Sequence, residues 1–172
     1  SITSMKARFT QANSEGAMLT GDLYIRRPGR LRFDYDDPVG DYIVADGRFI
    51  HYWDDELKEH SNAPIGQTLA DFILRKRISL TDDLEVTSVT EGPDGKTHRL
   101  TMLQKDAPEQ GRLTLLVTKP PVKLLKWRVS DATGGITEVA LYDVAYGVKV
   151  PATLFRFQPP KGYENVYDRE DR

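Results

Sequence analysis

The feature that most constrains this chain is a period of two. Arg30-Leu31-Arg32-Phe33-Asp34-Tyr35-Asp36 alternates without a break. An extended strand therefore puts Leu31, Phe33 and Tyr35 on one face and the charges on the other, whereas a helix would scatter them. The segment before it repeats the pattern. Leu19, Gly21, Leu23 and Ile25 share one face, and Thr20, Asp22, Tyr24 and Arg26 take the opposite one. Arg27-Pro28-Gly29 lies between, with Pro and Gly supplying the backbone angles of a tight turn. The two segments form a hairpin.

Similar segments follow, separated by turn residues. Strands are expected at 5–13, 42–45, 49–53, 84–90, 97–104, 112–118, 123–130 and 136–146. Asp46-Gly47 is the strongest short hairpin signal, and Gly92-Pro93-Asp94-Gly95 and 131–135 are further turns. Helix is scarce. Residues 64–77 carry Leu69, Phe72 and Ile73, with Ile65 nearby, at helical spacing, and Arg75-Lys76-Arg77 close the segment where cations complement a helix dipole. A second short turn of helix is expected at 151–155.

The expected fold class is mainly β (α+β): successive antiparallel hairpins in a meander that curls and closes or half-closes. One helix is little cover for so large a sheet. A concave apolar face then either leaves a hydrophobic cavity or packs into a filled β-core, and alternation alone does not choose between them.

Composition narrows the function. A chain of 172 residues suits one domain with a full core. Its 24 basic and 26 acidic side chains leave a net charge of -2, which gives no global field for nucleic acid. There is no cysteine, which excludes disulfides, thiolate metal sites, thiol nucleophiles and a lipidated Cys on this chain. The longest apolar runs are too short to span a bilayer as a helix. The chain opens at Ser1 in strand-like sequence with no signal peptide, as expected of a trimmed chain.

Catalytic patterns do not emerge. His51 and His60 are near enough on a hairpin for a two-histidine metal site, with Asp54, Asp55 and Glu56 nearby, but their spacing is not diagnostic; His98 sits in polar sequence. The acidic groups Asp34-Asp36-Asp37, Asp54-Asp55-Glu56 and Asp82-Asp83 fall at strand ends and turns, where Asp serves local hydrogen bonding. No serine has a Gly-x-Ser-x-Gly setting, and Gly134-Gly135 is a hairpin turn. Arg26, Arg27, Arg30 and Arg32 are the densest basic cluster. Three of them are expected to face solvent or a partner; Arg27 ends a strand before Pro28, where it can reach over a barrel mouth.

The run Gly21-Asp22-Leu23-Tyr24-Ile25-Arg26-Arg27-Pro28-Gly29-Arg30-Leu31-Arg32-Phe33-Asp34-Tyr35, with Pro38 and Ile43-Val44-Ala45-Asp46-Gly47, resembles the outer-membrane lipoprotein carrier family (LolA). The likeness extends to Phe9-Thr10-Gln11, to Trp127 with Asp131, and to Leu154-Phe155-Arg156-Phe157-Gln158-Pro159-Pro160-Lys161-Gly162. It implies an incomplete, strongly curved antiparallel β-barrel with short helices as a lid over an apolar cavity, in one domain over 1–172 that lacks the family's N-terminal helix. It also implies a monomeric periplasmic shuttle without cofactor or enzymatic activity. Such a shuttle takes triacylated lipoproteins from an inner-membrane ABC-type release complex and passes them to an outer-membrane acceptor. By the same resemblance Arg27 is the lid latch; Leu23, Ile25, Leu31, Phe33, Tyr35 and Trp127 line the cavity; and Leu69, Phe72 and Ile73 belong to the lid helix. Other uses of the fold are an outer-membrane acceptor, a glycolipid transporter or a lipoprotein-sensing domain.

Overall fold

The structure is a computed structural model that describes residues 3–67, 69–74 and 83–163. Its eleven strands are β1 (Ser4–Asn13), β2 (Met18–Arg26), β3 (Arg30–Tyr35), β4 (Tyr42–Asp46), β5 (Phe49–Asp54), β6 (Glu59–Pro64), β7 (Leu84–Glu91), β8 (Thr97–Gln104), β9 (Gly111–Thr118), β10 (Leu124–Asp131) and β11 (Ile136–Tyr146). They form one antiparallel sheet in the order β6-β5-β4-β3-β2-β1-β11-β10-β9-β8-β7. Two hairpin meanders, β1 to β6 and β7 to β11, are joined where β1 pairs with β11. The sheet is not closed, and β6 and β7 are its edges.

Ten of these strands coincide with the alternating segments, within a residue or two at their ends. The missed one is β6. Glu59-His60-Ser61-Asn62-Ala63-Pro64 has no apolar alternation, because it is an edge strand that pairs only with β5. Its Pro64 suits a strand end at a sheet edge, where one missing donor breaks no ladder.

Curvature follows from what touches across the sheet. Phe33 on β3 and Trp127 on β10 are four strand spacings apart, about 19 Å in a flat sheet. Their ring centroids are 6.3 Å apart. The sheet must therefore bend until the two side chains meet on its concave face. That face is the core: Met5, Ala7 and Phe9 from β1, Leu23 and Ile25 from β2, Leu31 and Phe33 from β3, then Leu113, Leu115, Trp127 and Val139 from the second meander.

Among the described residues, the helix expected over 64–77 begins later and is tighter. Pro64 belongs to β6, and the helical part is a six-residue 3-10 helix, Leu69–Leu74. Asp71, 2% exposed, accepts a hydrogen bond from the Gly66 amide at 2.7 Å, which turns the chain into the helix immediately after β6. Arg75, Lys76 and Arg77 lie outside the described residues. The reason for a crossing here is topological. β6 and β7 follow one another in sequence but lie at opposite edges, so the chain between them has to pass from one edge to the other. Phe72, Ile73 and Leu74 are buried in the concave core on the way.

The expected turn at 151–155 is a 3-10 helix, Ala152–Phe155. With the residues after it, it covers the outer face of β3 to β6. Arg32 donates to the Leu154 carbonyl at 3.3 Å, and the Tyr42 hydroxyl donates to the Gln158 carbonyl at 2.6 Å. Val44 and Trp53 are buried beneath this segment although they point away from the concave core.

Candidate functional site

The concave face gathers most of the residues singled out from sequence. Leu23, Ile25, Leu31, Phe33 and Trp127 are all buried in one apolar cluster. The rings interlock edge to face: Phe9 on Phe33 at 5.0 Å and 84°, Trp127 on Phe33 at 71°, and Phe72 on Trp127 at 5.8 Å and 74°. Such contacts add to the area term. Tyr35 closes one end. Its hydroxyl donates to Gln11 Oε1 at 2.7 Å, and burial pushes the phenol up to about 12. Phe72 and Ile73 are buried in the same cluster. Leu69 lies on the helix backbone, but its side chain is outside the described residues. Phe72, Ile73 and Leu74 are buried against the concave face.

Arg27 extends β2 by one residue and has the parity of Leu23 and Ile25, so it leans toward the concave side. Its amide donates to the Thr3 carbonyl at 2.8 Å. The guanidinium is half-buried, and burial lowers its pKa from the ordinary arginine value. Two residues on, the Gly29 amide donates to the carbonyl of Leu74, the last residue of the 3-10 helix, at 3.2 Å. The Arg-Pro-Gly turn thus holds the end of the helix that crosses the concave face. Gly29 needs to be glycine: its φ is +71°, and an added Cβ would lie 3.1 Å from Gly47 Cα.

Residues of the same face that were not among the cavity candidates are Met5, Ala7, Phe9, Met102, Leu113, Leu115 and Val139. The period-two signal was present in each strand. Only the curvature reveals that these strands face Phe33.

The polar candidates lie elsewhere. His51 and His60 are on the outer face, where His51 Nδ1 is 3.1 Å from His60 Nε2 and His51 Nε2 is 3.0 Å from Asp46 Oδ2. Their ring centroids are 5.3 Å apart with an interplanar angle of 22°, a stacked arrangement. Phe157 stacks on His60 at 3.9 Å. Burial, with the neighbouring His51, lowers the His60 pKa. The pair is thus a packing element under the C-terminal segment.

The acidic groups are used structurally. Asp36 accepts from Arg8 at 2.9 Å and from the Thr20 hydroxyl at 2.6 Å, and the Arg8 hydrogen bonds hold its carboxyl down at about 2. Asp34 pairs with Arg32, Asp54 accepts from the Leu57 amide, and Asp55 accepts from the Trp53 indole and Lys58. Asp82 lies outside the described residues. Of the basic cluster, Arg26 and Arg30 are exposed, as expected. Arg32 is tied down between Asp34, Leu154 and the Tyr42 ring, 5.0 Å beneath it.

Comparison with known proteins points the same way. The family described as outer membrane lipoprotein carrier protein LolA matches residues 1–158. An outer-membrane lipoprotein carrier protein of Legionella pneumophila (strain Corby) is 32% identical over 173 residues, covering 96% of this chain and 84% of its own length. One from Methylococcus capsulatus is 25% identical over 152 residues, covering 87% and 72%. Among solved structures, an uncharacterized conserved protein from Thermus thermophilus superposes with a TM-score of 0.55 at 13% identity, over 92% of this chain and 87% of the other. A DUF1329 family protein from Desulfovibrio piger also reaches 0.55, at 12% identity over 91% and 90%. These two likenesses speak for the fold alone.

Proposed function

The chain belongs to the LolA family of outer membrane lipoprotein carriers, which are not enzymes, and from that premise we propose that it shelters lipoprotein acyl chains on its concave face in the periplasm. The cargo is a triacylated lipoprotein, received from an inner-membrane ABC-type release complex and passed to an outer-membrane acceptor. The observation that carries the reading is the short apolar helix seated in the concavity and held by the Arg-Pro-Gly turn.

Exchange of that helix for an acyl chain is energetically near balance. Burial of Phe72, Ile73 and Leu74 contributes about 1.5–3 kcal/mol each, or roughly 5–9 kcal/mol together. At about 0.8 kcal/mol per methylene, one long acyl chain gains on the order of 10 kcal/mol by leaving water. A helix that fills the face in the empty protein can therefore give way to cargo and return when cargo leaves. Leu23, Ile25, Leu31, Phe33, Tyr35 and Trp127 are the surface it uncovers. Arg27 is the latch: a half-desolvated cation at the turn that holds the helix end, contributing hydrogen bonds of about 1.5–3 kcal/mol each.

The test is native mass spectrometry of protein purified from a bacterial periplasm, comparing wild type with Arg27→Leu. Copurified triacylated lipoprotein, retained more strongly by the variant because its closed state is weakened, is the expected result. Clean apo masses for both proteins, with no uptake of a fluorescent acyl probe, defeat the reading in favour of a permanently filled β-core.

A further inference from the structure

The outer face of β8 to β11 carries a feature that acyl carriage does not use. A groove of about 400 Å³ runs across these strands, and its cations are Arg99, Arg112, Lys126 and Arg128 against one carboxylate, Glu138. Register explains the grouping. Met102, Leu113, Leu115, Trp127 and Val139 point into the concave core, so their sequence neighbours point out. Arg99 and Lys126 flank Leu116 from either side, and Arg112 lies beside Ser130. Between these rows, Thr101, Thr114, Arg128 and Glu138 lie side by side across the four strands.

The charges are not balanced locally. Lys126 and Arg128 both hold Glu138, at 2.8 and 2.7 Å, which fixes them along one side of the groove. Arg99 and Arg112 are exposed and have no ion-pair partner among the described residues. On the outer face of the first meander Arg8 pairs with Asp22 and Asp36 and Arg32 with Asp34, while Arg26 and Arg30 are exposed. The chain as a whole carries a net charge of -2, so this positive excess is a segregated patch and not a general property. Among the described residues it also lies open, whereas the outer face of β3 to β6 is covered by the C-terminal segment.

We propose that this groove docks the phosphate headgroups of an anionic bilayer, with Arg99 and Arg112 as the recognising residues. Guanidinium forks match phosphate oxygens in pairs, and the hydroxyls of Thr101, Thr114 and Ser130 add donors between the cations. The lining offers side-chain donors and little apolar surface, which suits a compact oxyanion better than the side chains of a bound peptide. Each cation brought near an anionic surface strengthens binding about 5-fold, and salt screens the effect. A few such charges give a contact that orients the protein and releases quickly. The inference rests on charge geometry and not on what the concave face holds.

The experiment is cosedimentation of the full chain with phosphatidylcholine vesicles, with and without phosphatidylglycerol, at low and high salt. Wild type should follow only the anionic vesicles, and only at low salt. Arg99→Gln combined with Arg112→Gln should reduce that partition on the order of 30-fold with an unchanged thermal midpoint and unchanged acyl-probe uptake. Lys58→Gln removes the same kind of charge from the β5–β6 turn, where Lys58 pairs with Asp55, and should leave the partition intact. The proposal is overturned by equal binding to neutral vesicles, by a double variant that binds like wild type, or by an equal loss in Lys58→Gln. It is equally overturned if the groove binds inorganic phosphate but no vesicle. Retention on immobilised polyglutamate without vesicle binding overturns it in favour of an acidic protein partner.

Discussion

Asp36 ties three strands of the first meander together on the outer face. It stands at the end of β3, takes the Arg8 guanidinium of β1 and the Thr20 hydroxyl of β2, and donates its amide to the Thr20 carbonyl at 2.9 Å. Its carboxyl titrates at about 2, below the usual 3.8, chiefly through the Arg8 hydrogen bonds. A carboxyl whose folded pKa is depressed contributes stability above its unfolded pKa and loses it as pH falls toward the folded value. The thermal midpoint should therefore decline between about pH 4 and about pH 2, and Asp36→Asn should flatten that part of the profile. An identical decline in the variant would assign the acid sensitivity elsewhere. Asp36 was legible in the sequence as an acid at a strand end. Its partner Arg8, 28 residues away, was not, because only strand pairing brings them together.

At the scale of elements, the 69–74 helix differs from the strands that flank it. The strands are secured by continuous ladders, while the helix is a single 3-10 segment held by its apolar side chains, by Asp71, which accepts from the Gly66 amide, and by the Gly29–Leu74 hydrogen bond. Local opening of such a segment takes less free energy than opening the sheet. The Gly29 amide should therefore exchange with solvent faster than the Arg27 amide, which is bonded to Thr3. Phe72→Ala should widen the gap, since truncating a buried phenylalanine costs about 3–5 kcal/mol. Equal rates at both amides, changed equally by the substitution, would mean that helix and sheet open as one unit. The sequence pattern marked Phe72 and Ile73 as one apolar stripe but began the helix too early. Its beginning at Pro64 was taken by β6, whose pairing with β5 outweighs local helical spacing in a polar stretch.

At the scale of the molecule, the two meanders meet along β1 and β11, and Phe9 of β1 stands at the centre. It is 0% exposed, packs edge to face on Phe33 and Tyr35, and lies over Gly21, where an added Cβ would come within 2.8 Å of its ring. Phe9→Ala is expected to cost about 3–5 kcal/mol. Denaturant unfolding followed by both tryptophans should shift as one transition, because Trp127 belongs to one meander and Trp53 to the other. Two separated transitions would show that the meanders fold independently.

Alternation by itself located ten strands and separated the two faces of β2 and β3, because side chains on a strand have nowhere to go but two sides. It also placed Leu23, Ile25, Leu31, Phe33 and Tyr35 on one surface before any contact was known. Tertiary structure decided what that surface meets. Strand order and curvature bring Trp127 against Phe33 and lay Phe72 over both. The β6-to-β7 crossing, not helical propensity, puts a short helix there. The basic groove is also a tertiary product. Arg99, Arg112, Lys126 and Arg128 are ordinary singly in sequence, and they become one patch because four antiparallel strands turn their outer rows to the same side.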